Sequence, residues 1–359
     1  SVIENFKNII EQNVFIGGKH VKAFEEQLEK YLSSKHSIGC GSGTDALWMS
    51  LAALDLQPNS IVLTTPFSFI ASSSEIVAHG AQPVFIDIEP ETFNIDPKQL
   101  ELWLENNPDL PVAGLITVNI FGQCANYKKI KEIADKHNLW ILEDSCQSIG
   151  AHIDNKMAGT FGDIACFSFY PTKNLGAWGD AGAITTNNDL LAERIMKLRN
   201  HGRASHYEYE FYGRNSRLDA IQAAVLTKKL MILDKLNDRR REIAKIYNDR
   251  LENNQYITTP KETTGHHVYH QYCVTTTDES GNSLQSKLKD HLTKNKIGSN
   301  VFYPIGLNHI PFLNTNPKLE NTCPVSDKII GTMLALPIWP ELTNDEVNYI
   351  CDVIDKFKP

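Results

Sequence analysis

Six short runs rich in apolar and β-branched residues recur through the first half of the chain, at residues 61–65, 83–88, 112–119, 139–142, 164–169 and 183–186. Helical patterns lie between them. One example is the stretch 126–137, which follows the turn signal FGQCAN. Strands separated by helix-length segments need crossover connections, so the alternation predicts a mostly parallel sheet flanked by helices. The runs are continuously apolar, as suits a sheet covered on both faces. Ahead of them, Val21, Phe24, Leu28, Tyr31 and Leu32 recur at helical spacing with charges between.

The pattern changes after Arg217. Residues 218–251 read as one long helix with a charged middle, NDRRRE, whose arginines read as surface residues. A Thr-rich loop follows. HVYHQYCVTTT then reads as a strand, SLQSKLKDHLTKN as a helix, KIGSNVFYP as a strand, and 343–356 as a final helix. With 359 residues, the chain exceeds what one core usually organises. The expected units are a large one, residues 1–240, and a smaller α+β unit, residues 241–359. There is no internal repeat.

Charge narrows the function classes. The net charge of −8 argues against a general nucleic-acid binder. Residues 194–241 nevertheless hold twelve Lys/Arg against five Asp/Glu, a local net of +7, so the remainder carries −15. Such a stretch serves either as a solvated helix face or as an attractor of an anionic substrate. No apolar run approaches the roughly 20 residues of a membrane span. The opening at Ser1 shows no secretory signal and reads as a processed start. The seven cysteines are widely spaced with no CxxC pair, so neither zinc nor a disulfide framework is expected. Cys146 and Cys166 lie among apolar residues and read as buried free thiols, which fits a reducing cytoplasm.

Four segments could carry chemistry. CGSGTDALWM lies between a short strand and an apolar helix; it is either an ordinary glycine turn or a phosphate cradle at a helix N-terminus. LWILEDSCQSIGA ends an apolar strand with Glu143 and Asp144, a strand end at which a carboxylate could meet solvent or a buried cation such as a protonated pyridine nitrogen. ACFSFYPTKNLGAWGDAGAITT delivers Ser168 and then Lys173 among Phe, Tyr, Trp and glycines. A lysine so enclosed sheds its proton more easily and becomes a nucleophile for carbonyls. YGRNSRLDAIQAA offers Asn215 and Arg217 either as turn and cap residues or as groups that reach a phosphate.

In this order, and together with FIGGKHVKAFEEQLEKYL, TPFSFIAS, PVFIDIEPETFNID and ALPIWPELT, the segments resemble the DegT/DnrJ/EryC1/StrS family over essentially the whole chain. These are sugar aminotransferases that depend on pyridoxal 5'-phosphate (PLP). The resemblance implies PLP fold type I, the aspartate aminotransferase-like α/β architecture. That architecture has a large domain with a mostly parallel seven-stranded sheet and a smaller C-terminal α+β domain.

By the same resemblance, Lys173 holds PLP covalently and moves protons, and Asp144 partners the pyridine nitrogen. Gln147 meets the ring hydroxyl, Phe69 stacks on the ring, and Gly43, Thr44 and Ser168 bind the phosphate. Asn215 reaches the phosphate of a neighbouring subunit, so the resemblance implies a homodimer with shared active sites. Many relatives have Gly-Asp-Gly-Gly where this chain has Gly179, Asp180, Ala181 and Gly182, and Ala where it has Ser145 and Cys146. Some relatives carry His in place of the lysine and catalyse dehydration; Lys173 favours amino transfer.

The expected reaction moves an amino group from glutamate to a nucleotide-linked keto sugar, with no metal. Arg214, Arg217, Tyr303 and His309 are candidate substrate contacts. A PLP-dependent dehydratase or lyase and a non-catalytic sensor are the alternative readings.

Overall fold

A computed structural model describes residues 2–314, 319 and 322–359. The elements begin α1 (Val2–Gln12), α2 (Gly18–Leu32), β1 (His36–Cys40), α3 (Gly43–Ala53), β2 (Ile61–Thr64), α4 (Ala71–Ala78) and β3 (Gln82–Phe85). Next come α5 (Pro97–Asn106), β4 (Val112–Val118), α6 (Tyr127–His137), β5 (Trp140–Asp144), β6 (His152–Ile153), β7 (Lys156–Met157), β8 (Ile164–Ser168) and β9 (Gly182–Thr186). The rest are α7 (Asp189–Leu198), α8 (Ala220–Leu230), α9 (Leu233–Leu251), β10 (Ile257–Thr258), β11 (Tyr272–Thr276), α10 (Gln285–Lys294), α11 (Pro324–Ile330), β12 (Met333–Leu336) and α12 (Asn344–Asp355).

All six expected runs form strands of one seven-stranded sheet, ordered β1-β9-β8-β5-β4-β2-β3. Only β9 runs against its neighbours. Strands such as β2 and β9 are buried along their whole length, because helices cover both faces. One face packs on α3 and α7. The other packs partly on α5 and α6 and partly on α2 and α8. Helix ends follow their capping residues. Asn126 accepts from the Lys129 N–H at the start of α6, and Thr343 and Glu346 form a reciprocal capping box at α12.

A second sheet, β10-β11-β12, is antiparallel. Its core includes Tyr247, Tyr272, Leu288, Leu336 and Ile354. The expected division at 240/241 falls inside α9. Leu233 of that helix packs with the large sheet's core, and Ile243, Ala244, Tyr247 and Leu251 pack with the second.

Three expectations are corrected. The helix over 218–251 is two helices, broken where Ile232 adopts φ −121° and ψ 8°. α8 buries Ala223 and Leu226 beneath the large sheet whereas α9 reaches the second core, so one straight rod cannot serve both. KIGSNVFYP is not a strand: Asn300 makes a single bridge to Ala335, and the edge position belongs to β11's partner β12. Arg240 of NDRRRE is buried, and its Nη1 donates to the carbonyls of Tyr269 (3.2 Å), His270 (3.4 Å) and Ile338 (3.1 Å).

Among the described residues, no helix is long and apolar enough to cross a membrane. All seven cysteines are free; Cys166 is buried as expected, whereas Cys146 is only half-buried.

Candidate active site

The C-terminal ends of the parallel strands are where an α/β sheet of this kind binds ligands. A cavity of about 510 Å³ opens there, lined by Gly43, Phe69, Asp144, Ser168, Lys173 and Tyr303 among others. Each is delivered by an element whose formation follows from local sequence.

Gly43 begins α3. Ser42 caps the helix, its hydroxyl accepting from the Asp45 N–H at 3.1 Å. The first-turn amides of a helix have no intrahelical partners and favour negative charge. A Cβ on Gly43 would lie 2.7 Å from Ser168 Cβ and 3.0 Å from Cys146 Sγ, so only glycine lets α3 approach the end of β8 this closely. Thr44 and Ser168 line the same corner, where the free amides at the start of α3 favour negative charge. Phe69, in the loop after β2, is 55% exposed and presents a ring to the cavity.

Asp144 ends β5 and is buried. Its Oδ2 accepts from Ser72 Oγ at 2.8 Å, and its Oδ1 from the Cys146 N–H at 3.2 Å. Its neighbour Glu143 points away from this chemistry. Fully buried, it accepts from the N–H groups of Gly159 (2.8 Å), Gly162 (2.7 Å) and Phe161. Burial nonetheless pushes its carboxyl above the ordinary range. Of the two carboxylates at the strand end, Asp144 faces the cavity and Glu143 ties down the 159–162 loop.

Lys173 sits in the closed loop between β8 and β9. Its N–H donates to Tyr170 O, and the Ala177 N–H to Phe169 O, both at 2.8 Å. A Cβ on Gly176 would meet Pro171 O at 2.3 Å, so this loop too needs glycine. Burial lowers the proton affinity of the Lys173 amine, and the nearby carboxylate of Asp144 offsets part of that effect, whereas burial pushes the Cys146 thiol well up. Gln147 bridges two walls: its Oε1 accepts from the Phe121 N–H at 2.8 Å and its Nε2 donates to Tyr303 Oη at 3.0 Å.

Lys173, Asp144, Gly43, Thr44, Phe69, Gln147, Ser168 and Tyr303 therefore share one cavity. Four other candidates lie outside its lining. Arg214 is ion-paired to Asp45 at 3.2 Å, and its guanidinium lies 4.2 Å from the Trp48 ring centre. Arg217 donates to Asn215 Oδ1 at 2.8 Å, and both residues are exposed. His309 pairs with Asp327 at 2.7 Å. Ser72, Phe121, His270 and Gln271 were not legible as site residues. The pairing of Ser72 with Asp144 spans 72 residues, and HVYHQYC reads as a plain strand. The arrangement can hold a phosphate at α3, a flat ring against Phe69, a cationic nitrogen at Asp144 and a reactive carbonyl at Lys173.

Residues 1–355 match the profile of the DegT/DnrJ/EryC1/StrS aminotransferase family. The chain is similar to a pleiotropic regulatory protein of Geobacillus stearothermophilus, 39% identical, with 97% of this chain and 92% of the relative covered. It is similar to a UDP-N-acetyl-3-dehydro-alpha-D-glucosamine 3-aminotransferase of Acidithiobacillus ferrooxidans, 33% identical over 98% and 92%. In structure it resembles a DegT DnrJ EryC1 StrS aminotransferase from Brucella abortus, with a TM-score of 0.92 and 33% identity over 98% and 94% of the two chains. A profile match of this extent, with relatives of this identity over nearly full length, places the chain in the DegT/DnrJ/EryC1/StrS aminotransferase family.

Proposed function

We propose that this chain is a PLP-dependent transaminase that moves an amino group from glutamate to a nucleotide-linked keto sugar. The product would be an amino sugar for a surface polysaccharide or glycan. The observation that carries the proposal is Lys173, enclosed and of lowered proton affinity, in one cavity with Asp144 and the anion cradle of α3. The close fit at Gly43 supports a bound phosphate there, since any side chain would fill the cradle. When bound, PLP supplies an electron sink through which an amino group passes between two carbons.

This chain's residues divide the work. The Gly43 and Thr44 amides and the Ser168 hydroxyl would hold the phosphate, and Phe69 would cover the ring face. Asp144 would keep a proton on the ring nitrogen, and Gln147 would meet the ring hydroxyl. Lys173 Nζ would anchor the cofactor and carry the proton between the reacting carbons.

The keto group lies at C3 or C4 of a hexose; the Acidithiobacillus relative is named for a UDP-linked 3-dehydro sugar, which supports C3. The Geobacillus relative is named a regulator, but Lys173 and Asp144 are both present here and favour catalysis. Lys173 is the only lysine or arginine among the described residues lining the cavity, yet both proposed substrates are anionic. Further cations and the phosphate contact of Asn215 would come from a second subunit, with Arg217 beside it. Free thiols throughout fit a cytoplasmic enzyme.

The Lys173→Ala variant tests the assignment. It should give no absorbance band shifted from that of free PLP, and turnover should fall on the order of 10³-fold or more. Normal amination of keto-sugar nucleotides by that variant would end the proposal. Incubating the native enzyme with glutamate and a panel of UDP- and dTDP-linked 3- and 4-keto sugars, read by mass spectrometry, identifies the acceptor.

A further inference from the structure

Gln147 and Tyr303 meet in the cavity wall, and the direction of their hydrogen bond is fixed. The Phe121 N–H donates to Gln147 Oε1 at 2.8 Å. A main-chain N–H only donates, so that contact settles which end of the amide is oxygen. Gln147 Nε2 then donates to Tyr303 Oη at 3.0 Å. The Tyr303 oxygen is the acceptor of that bond, so its own hydrogen is directed elsewhere. Among the described residues that hydrogen has no acceptor, and neither does the second hydrogen of Gln147 Nε2.

Tyr303 is held in place by its neighbours. Its ring packs edge-on against Phe67 with centres 6.0 Å apart, and Phe67 is fully buried beside Phe93 and Phe121. Burial pushes the Tyr303 phenol above its ordinary range; the Gln147 bond works against that rise and the Asp144 charge adds to it. Tyr303 therefore stays protonated and remains a donor. The other titratable groups lining the cavity are Lys173, Asp144, Cys146, Asp180, Tyr170 and His270.

The order of the strands says what these donors face. β5, which ends in Asp144, lies between β8 and β4. Ser168 and the start of α3 are on the β8 side, whereas Phe121 follows β4 and carries Gln147 and Tyr303 with it. On PLP the phosphate arm and the ring hydroxyl flank the aldehyde on opposite sides, and the nitrogen lies across the ring from it. With the phosphate on the β8 side, the nitrogen at Asp144 and the aldehyde at Lys173, the hydroxyl falls on the β4 side. Two donors whose heavy atoms are 3.0 Å apart can converge on one oxygen, and they favour its ionised form.

We propose that Tyr303 and Gln147 form a two-donor pocket for the ring hydroxyl of PLP, holding its oxygen as an anion beside the carbon at which Lys173 works. The proposal rests on the PLP reading of this site, and it assigns Tyr303 to the cofactor rather than to the sugar. Gln147 alone would give that oxygen one donor; the chain Phe121–Gln147–Tyr303 supplies the second and orients it.

The test uses full-length protein with 4-deoxypyridoxine 5'-phosphate in place of PLP. This analogue keeps the phosphate, the nitrogen and the hydroxyl but has no aldehyde, so it binds without a bond to Lys173. Its absorbance reports the ionisation of the bound hydroxyl as pH is varied. Tyr303→Phe keeps the packed ring and removes one donor. The ionisation midpoint should rise by about one pH unit, and the analogue's affinity at neutral pH should fall about tenfold. The counterpart lacking the 3-hydroxyl should bind the native and Tyr303→Phe proteins equally, within about twofold. An unmoved midpoint in Tyr303→Phe, or equal losses for the two ligands, overturns this inference and leaves the PLP reading standing. Failure of the native protein to bind the analogue at all overturns both.

Discussion

Gly43, Glu143 and Lys173 answer to different physics. In Gly43→Ala the new methyl lies 2.7 Å from Ser168 Cβ, so α3 and β8 must part where the cradle is made. PLP affinity should fall at least tenfold, measured by equilibrium titration, with only a modest loss of thermal stability. Glu143→Gln leaves one oxygen to accept from three buried N–H groups. It should cost about 1–3 kcal/mol in denaturant unfolding without loss of the absorbance band. For Lys173, burial lowers proton affinity and the Asp144 charge partly restores it. The pH midpoint for acylation of Lys173 by acetic anhydride before cofactor loading, followed by mass spectrometry, should therefore lie below the ordinary lysine value of 10.5, and Asp144→Asn should move it further down. Asp144 and Lys173 were legible because a carboxylate at the end of an apolar strand and a lysine among aromatics and glycines stand out locally. Ser72 and His270 were not, because their partners lie 72 and 96 residues away along the chain.

At the scale of elements, the strands of the large sheet were legible because helices bury both faces and leave continuous apolar runs. The break between α8 and α9 was not, since helical periodicity continues across Met231 and Ile232. The turn there exists only because the two helices serve different cores. The burial of Arg240 was hidden for a related reason: a run of charges reads as a solvated face. Its guanidinium instead ties α9 to the chain before β11 and after β12, and burial holds its proton affinity down to about 10. Arg240→Met should leave three carbonyls unpaired and destabilise by about 2–4 kcal/mol, read by denaturant unfolding. We place the division between the two units within α9, near this residue.

For the whole molecule, a second subunit is the remaining proposal. Phe15, Tyr170, Trp178 and Tyr212 are exposed, with Phe6 and Trp178 in an edge-on pair at 5.7 Å. Asn215 and Arg217 lie outside their own chain's cavity. If Asn215 acts across a dimer, Lys173→Ala and Asn215→Ala should each be impaired, and a 1:1 mixture reassembled from subunits should recover about a quarter of the native sites. Recovery no greater than the sum of the separate variants would assign Asn215 to its own subunit's stability. Local order along the chain sufficed for the parallel sheet, the candidate site at its strand ends and the family. Hydrophobic periodicity, glycine and charge act over a few residues, and their marks survive in one dimension. The pairing of Ser72 with Asp144, the opposite duties of Glu143 and Asp144, the burial of Arg240 and the bend before α9 depend on which distant groups meet. A hydrogen bond or an excluded charge takes its value from a neighbour that only folding supplies.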